Sequence, residues 1–410
     1  MIDVSTLFML IAGIVFLGYI LNALFYKLKI SNILPLLLIG LAIGPMLHLV
    51  DTSPSSIVVQ VSPFVTALAI AFVLFDVGMG IRFSSLRNIL LQASKFTILT
   101  SMITGIAMTL VFYYVEGWST LFSLMAGFAI SGTSSVTLPS LFKVAKVTED
   151  TKTTLAYQSV FNDVFSLVIP LIFFNIIATG QYTATFVAGE LAGFVIGSLV
   201  LGILFAAFWV FILKKFRRYS SEYSWMLTLT MVLAIYGTSE YLHFNGALST
   251  FIFGILLANI SDMKFLVKSY VKPVLSDVSH IKVYQKEITF FVSTFFFVYI
   301  GMLFDLQGLQ YVIVALVVAM CVIMLLIRYF TTLTLGRIIP NGKHEKSNKS
   351  LIRLYVAQGL APAIIATLPA TIGIAVPNFI DIVFLVILIS NGILSLGLYR
   401  YAKLYAEEIK

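Results

Sequence analysis

Cysteine appears once in this chain of 410 residues, as Cys321 inside an apolar run. A lone thiol excludes a disulfide framework and argues against a thiolate metal centre. Histidine is almost as scarce: His48, His243, His280 and His344 fall at segment ends or in loops, with no paired spacing such as H-E-x-x-H. A zinc protease is therefore not expected. Charged residues are only 11% of the chain, and the longest polar stretches, around 261–287 and 337–350, are too short for a soluble domain. The apolar residues of the 261–287 stretch do not establish a surface helix there.

What the chain has instead is apolar surface. Hydrophobic residues make up 60% of it and the mean hydropathy is +1.03, whereas soluble domains hold about 45–50% apolar residues even with glycine counted. The expected fold class is an all-α polytopic membrane protein. Hydropathy marks about thirteen candidate spans of membrane-crossing length, near 5–26, 32–50, 58–80, 88–114, 119–142, 153–178, 184–213, 224–241, 245–260, 288–305, 310–336, 351–372 and 379–400. The first has Asp3 before it, Lys27 and Lys29 after it and no small-residue cleavage motif, so it is expected to be retained as a helix.

Lysine and arginine near short loops favour the cytoplasmic side. Every basic residue but Arg328 lies in or near alternate loops, beginning with Lys27 and Lys29 and ending with Arg400, Lys403 and Lys410. This predicts an outer N-terminus and a cytoplasmic C-terminus in the plasma membrane. The net charge of +8 is then topology, with attraction to anionic lipid as an extra, and requires no nucleic acid.

A faint internal repeat follows. Gly78-Met79 in span 3 matches Gly301-Met302 in span 10, and Gly40-Leu41-Ala42-Ile43 in span 2 matches Gly254-Ile255-Leu256-Leu257 in span 9. Both pairs are seven spans apart, an odd number, so the copies cross the membrane in opposite senses. Inverted repeats of this kind typify secondary transporters, whose sites lie near the midplane. The same register pairs spans 5 and 12, and both are interrupted: Ser131-Gly132-Thr133-Ser134-Ser135 and Pro139 in one, Gln358-Gly359, Pro362 and Pro369 in the other. Proline and glycine free backbone groups at membrane depth, and paired breaks in corresponding halves point to a transport site. Close helix packing at small residues is the plainer alternative.

Between those spans lies Gln158-Ser159-Val160-Phe161-Asn162-Asp163. At 1.5 Å per residue Asp163 sits roughly 15 Å into its span, near the centre of a ~30 Å hydrocarbon core. A charge there costs at least ~2.5–3.5 kcal/mol and usually marks an ion or proton path; the bland alternative is an acid neutralised by a fixed base. Ser159 is four residues away and shares its helix face. Carboxylate, hydroxyl and freed carbonyl oxygens suit a hard monovalent cation, so Asp163, Ser159 and Thr133 are the candidate ligands of a transported sodium or potassium ion. Asn162 stands among them and is expected to orient the break through its amide. No resident cofactor is implied.

These motifs resemble those of the monovalent cation/proton antiporter superfamily, and the resemblance covers nearly the whole chain. Asn32-Ile-Leu-Pro35, Gly40 and Gly44-Pro45 are similar to its second-helix pattern; Leu74-Phe75, Gly78 and Leu86-Arg87 to its third; Phe295-Phe296 and Gly301-Met302 to its tenth. Ser159-x-x-Asn162-Asp163 looks like the Asn-Asp form of its site. The resemblance implies a homodimer with scaffold and dimerisation halves at 1–87 and 218–309, core halves at 88–178 and 310–401, a linking helix at 184–213, and two crossing discontinuous helices, spans 5 and 12, flanking the acid.

Two departures stand out. Gln158 replaces the glutamate common in the Asn-Asp branch, and Thr133-Ser134-Ser135 replaces its Thr-Asp-Pro, closer to potassium-exchanging relatives. Gln158, Ser134 and Arg328 are expected to support the site. Arg328 either holds the polar centre together, as the family's basic residue on this helix does, or snorkels to the inner interface. Asp76 is expected to serve a helix end, and Glu190 and Glu240 to be solvated at the outer side. Electrogenic members of the superfamily this chain resembles place a lysine near their ion site on this span, so by that resemblance the absence of lysine between Glu287 and Gly308 supports electroneutral exchange. The function expected is antiport of Na+ or K+ against H+, not enzymatic catalysis. Alternatives are the membrane subunit of a regulated potassium efflux system with channel-like behaviour, which would bring a cytoplasmic regulatory subunit, and an organic-anion transporter of similar fold.

Overall fold

Apolar runs bounded by glycine, proline and charge become helices, and in the computed structural model all regular structure among the described residues is helical. The structure describes residues 9, 12–20, 31, 33–51, 56–81, 91–134, 137–138, 141–142, 149–180, 184–220, 224–260, 271–306, 308–334 and 345–404. Residues 12–20 are helical. They are followed by α1 (Ile33–Leu41), α2 (Ser62–Gly80), α3 (Leu91–Tyr114), α4 (Thr120–Ala129), α5 (Glu149–Thr179), α6 (Ala184–Ser220) and α7 (Ser224–Tyr241). Then come α8 (Gly246–Ala258), α9 (Val271–Met302), α10 (Tyr311–Thr334), α11 (Glu345–Leu354), α12 (Leu360–Thr371) and α13 (Phe379–Leu404). A π-helical turn, Ala42–Met46, prolongs α1 and contains Pro45, whose missing N–H breaks the i→i−4 ladder.

Six stretches among the described residues are long and apolar enough to cross a membrane: Pro63–Gly80, Lys95–Tyr114, Thr154–Thr179, Ala192–Leu213, Tyr311–Thr334 and Phe379–Tyr401. Ile33–Met46, Thr120–Ala129, Gly246–Ala258 and Leu360–Thr371 are shorter apolar helices. The chain is a multi-pass membrane protein. Large apolar side chains such as Ile196, Leu204, Phe208 and Phe211 on α6 are exposed, as lipid-facing residues must be. One expectation changes: residues 271–287, read from sequence as loop, are the first turns of α9. Thirty-two residues span about 48 Å at 1.5 Å each, more than the hydrocarbon thickness, so the charged beginning of the helix needs no apolar surroundings. The basic residues of 261–270 and 335–344, with Lys27, Lys29, Arg82, Arg87, Lys143 and Lys146, lie outside the described residues.

The chain divides into two compact units. One joins Met1–Pro63, Ile89–Phe174 and Ser293–Lys410; the other joins Phe64–Asn88 and Asn175–Val292. In the second, Phe75, Trp209, Phe253 and Ile281 belong to one buried apolar cluster, and the Trp209 indole N–H donates to Thr228 Oγ1 at 2.8 Å. A Cβ on Gly78 would land on the carbonyl of Phe251, and one on Gly254 on that of Phe75. In the first unit Gly40 stands against the carbonyl of Val298 and Gly301 against that of Leu37 in the same way. Backbones touch at both places because no side chain intervenes. The contacts join span 3 to span 9 and span 2 to span 10.

Candidate functional site

All the expected site residues belong to the first unit. Helix α4 begins at Ser119, whose hydroxyl accepts from the Phe122 N–H at 3.5 Å, and Gly127 packs directly on Gly105 and Thr109 of α3. It ends after Ala129, and Ser131 Oγ donates to the Phe128 carbonyl at 2.7 Å. Gly132, Thr133 and Ser134 are then non-helical, inside the region where sequence places the break of span 5. Ser135 and Pro139 lie outside the described residues.

The second break is as placed in the sequence. Helix α11 ends at Leu354, Tyr355–Gly359 are non-helical, and α12 resumes at Leu360. Pro362 falls in the first turn of α12, where no N–H partner is lost. The two breaks are bonded to each other: the Ser134 N–H donates to the Ala357 carbonyl at 2.9 Å, and Gln358 Nε2 donates to the Gly132 carbonyl at 2.7 Å. Gly359 allows the approach, because a Cβ there would strike the Ser134 side chain. From α13, Ser390 Oγ accepts the Gln358 N–H at 3.0 Å and Asn391 Nδ2 donates to the Gln358 carbonyl at 2.8 Å.

Helix α5 lies against the first break. A Cβ on Gly132 would stand 2.6 Å from Ser166 Oγ, so this position accepts only glycine without a shift. Asn162 is buried and uses both ends of its amide: Oδ1 accepts from Ser101 Oγ of α3 at 2.7 Å, and Nδ2 donates to Thr133 Oγ1 at 2.6 Å. Ser159, fully buried, points its hydroxyl at the Thr133 carbonyl, 3.2 Å away. Both Thr133 oxygens therefore face α5. Asp163 is one residue beyond Asn162, half-buried, and its carboxylate acts electrostatically on the Tyr355 hydroxyl.

Tyr355, Ser101, Asn391 and the amide of Gln358 escaped sequence reasoning as site residues. Tyr355 reads as a core aromatic in an apolar run, yet its hydroxyl donates to the Ser134 carbonyl and lies 3.1 Å from Ser159 Oγ. Ser101 did leave a signal: Thr97, Thr100, Ser101 and Thr104 are all buried, and their spacing is a helical stripe of hydroxyls.

Arg328 does not snorkel: it is 3% exposed. Its Nε donates to the Ile352 carbonyl at 2.5 Å, and its guanidinium carbon lies 5.4 Å from the Tyr355 ring centre, a cation–π geometry. Gln158 is also buried, and among the described residues neither its amide nor Arg328 Nη2 has a hydrogen-bond partner. A small pocket reaches the break, lined in part by Thr100, Thr104, Thr133, Arg328 and Gln358. Among the described residues there is no group of three or more His, Cys, Asp or Glu able to hold a metal ion.

In the second unit Asp76 faces Thr289, Lys282 and Lys286, and Glu240 Oε1 accepts the Gly246 N–H at 2.8 Å across the α7–α8 turn. The Glu190 side chain lies outside the described residues.

Comparison with known proteins agrees with this architecture. A curated relative in Methanocaldococcus jannaschii, "Probable Na(+)/H(+) antiporter 2", is 25% identical over 69% of this chain, and the chain spans just under two thirds of it, 66%. "Na(+)/H(+) antiporter 1" of the same organism is 24% identical over 88% of this chain and 82% of its own length. The solved structure of the sodium proton antiporter MjNhaP1 from that organism at pH 8 superimposes with a TM-score of 0.74 at 19% identity, covering 97% of this chain and 95% of that one. An electron-microscopy map of MjNhaP1 gives a TM-score of 0.68 at 20% identity, over 99% and 97%. The family pattern described as "Sodium/hydrogen exchanger, transmembrane" matches residues 12–403. The chain is therefore a member of the transmembrane sodium/hydrogen exchanger family, within the monovalent cation/proton antiporter superfamily.

Proposed function

We propose that this protein is a secondary antiporter exchanging a monovalent cation, sodium first, for a proton across the plasma membrane. The observation that carries this is the convergence of Thr133 and Ser159 beside Asp163, with Asn162 clamped between Ser101 and Thr133. The Thr133 carbonyl, the Ser159 hydroxyl and the Asp163 carboxylate are the cation ligands. Asn162, with both amide ends engaged, positions the break. Ser134 supports it from the first break, Gln158 from α5 and Arg328 from α10, and Gln358 joins them from the second break.

Asp163 carries either the cation or the proton. A bound cation favours the charged carboxylate and a proton displaces it. If the site changes sides only when the carboxylate is neutralised, exchange is obligatory and the opposing gradient is the only driving force. With one such carboxylate, and no lysine on the tenth span to add a second titrating group, exchange is electroneutral, one for one. Spans 5 and 12 act as the two crossing discontinuous helices. The paired contacts Gly40–Gly301 and Gly78–Gly254 support the inverted repeat on which alternating access depends. The N-terminus is outside and the C-terminus cytoplasmic, and the protein works as a homodimer.

The test is the purified protein in vesicles with an imposed pH gradient, with sodium, potassium and lithium added in turn while dye dequenching is followed. Sodium should dequench, and a solid-supported membrane should record no current above empty vesicles. Dequenching by no cation would overturn exchange, dequenching by potassium alone would overturn the choice of sodium, and a protein-dependent current would overturn electroneutrality.

A further inference from the structure

The Ser159 hydroxyl has one proton and two acceptors at nearly equal distance: the Thr133 carbonyl at 3.2 Å and the Tyr355 hydroxyl oxygen at 3.1 Å. The direction of the surrounding bonds leaves the second acceptor open. Tyr355 spends its own proton on the Ser134 carbonyl. Thr137 Oγ1 donates to that same carbonyl at 2.9 Å and is 3.5 Å from the Tyr355 oxygen, so its one proton goes to the nearer partner. A lone pair on the Tyr355 oxygen thus remains for Ser159. All five residues are buried, where each donor and acceptor must find a partner.

We infer that Tyr355 is a positioning residue for cation binding: it takes the Ser159 proton whenever the Thr133 carbonyl takes a cation. With no cation bound, the Ser159 O–H points at the Thr133 carbonyl and satisfies it. A cation shared by that carbonyl and the Ser159 oxygen requires lone pairs from both, and a proton lying between them opposes it. Rotation of the hydroxyl toward Tyr355 clears the site without moving a heavy atom and leaves no buried donor unpaired. Without the Tyr355 oxygen, binding would either keep the proton against the cation or strand it in an apolar setting, and a stranded buried donor is costly. The inference rests on the exchange function proposed above and adds a residue that none of the antiporter motifs in the sequence contains.

The test is a double-mutant cycle in reconstituted vesicles with sodium as the probe. Tyr355→Phe should raise the apparent KM for sodium about five- to tenfold, the scale of one lost hydrogen bond, with the maximal rate within about twofold of wild type. In the Ser159→Ala background, where there is no proton to redirect, Tyr355→Phe should raise KM no further. A purely structural role predicts the same rise in both backgrounds and a comparable rise in Thr137→Ala, which also removes a hydroxyl from the Ser134 carbonyl. Either result would overturn the inference, as would an unchanged KM in Tyr355→Phe alone. If Tyr355→Phe does not fold, a fluorinated tyrosine placed at 355 by nonsense suppression keeps the hydroxyl while weakening it as an acceptor; an unchanged sodium KM then overturns the inference. Absence of sodium-driven exchange in the wild type, by contrast, would mark failure of the underlying function.

Discussion

The Asn162 amide joins two hydroxyls, accepting from Ser101 at 2.7 Å and donating to Thr133 at 2.6 Å. Three segments distant in sequence are thereby held at one point beside Asp163. The amide accepts on one side and donates on the other and brings no second charge next to the acid, whereas an ionised carboxylate could only accept.

Asn162→Leu keeps the volume and removes both bonds, leaving two buried hydroxyls without this partner. Each lost partner costs about 1–3 kcal/mol, so the melting temperature of the detergent-solubilised protein should fall by several degrees and sodium exchange should drop at least about tenfold. An Asn162→Leu protein with wild-type melting and exchange would show that the clamp is dispensable.

Asp163→Asn retains the shape of the side chain and removes the carboxylate proposed to trade a proton for a cation. Exchange should vanish while the protein remains monodisperse, and melting should occur at the wild-type temperature or above because a half-buried charge is gone. Sodium-dependent dequenching at the wild-type rate in this variant would put the wrong residue at the centre.

Competition between proton and cation for Asp163 sets the sign of the pH dependence. Protonation removes the ligand charge, so the apparent affinity for sodium should weaken as pH falls through the range where the carboxylate titrates, approaching about tenfold per pH unit in the limit of simple competition. The check is the apparent KM for sodium at several pH values with equal pH on both sides; a KM independent of pH would remove the shared-carboxylate mechanism.

Gly132→Ala would place a Cβ 2.6 Å from Ser166 Oγ and push α5 from the break. Overpacking of this kind costs about 1–3 kcal/mol. Melting should fall, and Ser166→Ala in the same chain should recover part of the loss because it removes the nearest atom. Equal melting of Gly132→Ala and wild type would argue that the contact relaxes freely.

Topology is open to direct labelling. A cysteine at Thr179 should react with an impermeant thiol reagent from outside intact cells, and one at Ser347 only after the membrane is opened. Cys321 is buried and should stay silent. The reverse pattern would invert the orientation.

Much of this was legible in the chain because membrane insertion writes itself into composition. Apolar runs must be helices when no water is present to satisfy the backbone, so the positions of α3, α5, α10 and α13 follow from hydropathy. Ser159, Asn162 and Asp163 share one helix, so their neighbourhood is local and needs no tertiary knowledge. The breaks are announced by Gly132 with its Ser/Thr neighbours and by Gln358-Gly359. Contacts between segments were not legible, because hydrogen-bond partners separated by many residues leave no periodic trace. The tertiary structure alone brought Ser101 to Asn162, Gln358 to Gly132, and Tyr355 to Ser134 and Ser159. It likewise decided that Arg328 turns inward to the Ile352 carbonyl: a long side chain near a helix end can reach water or protein, and only the packing around it determines which.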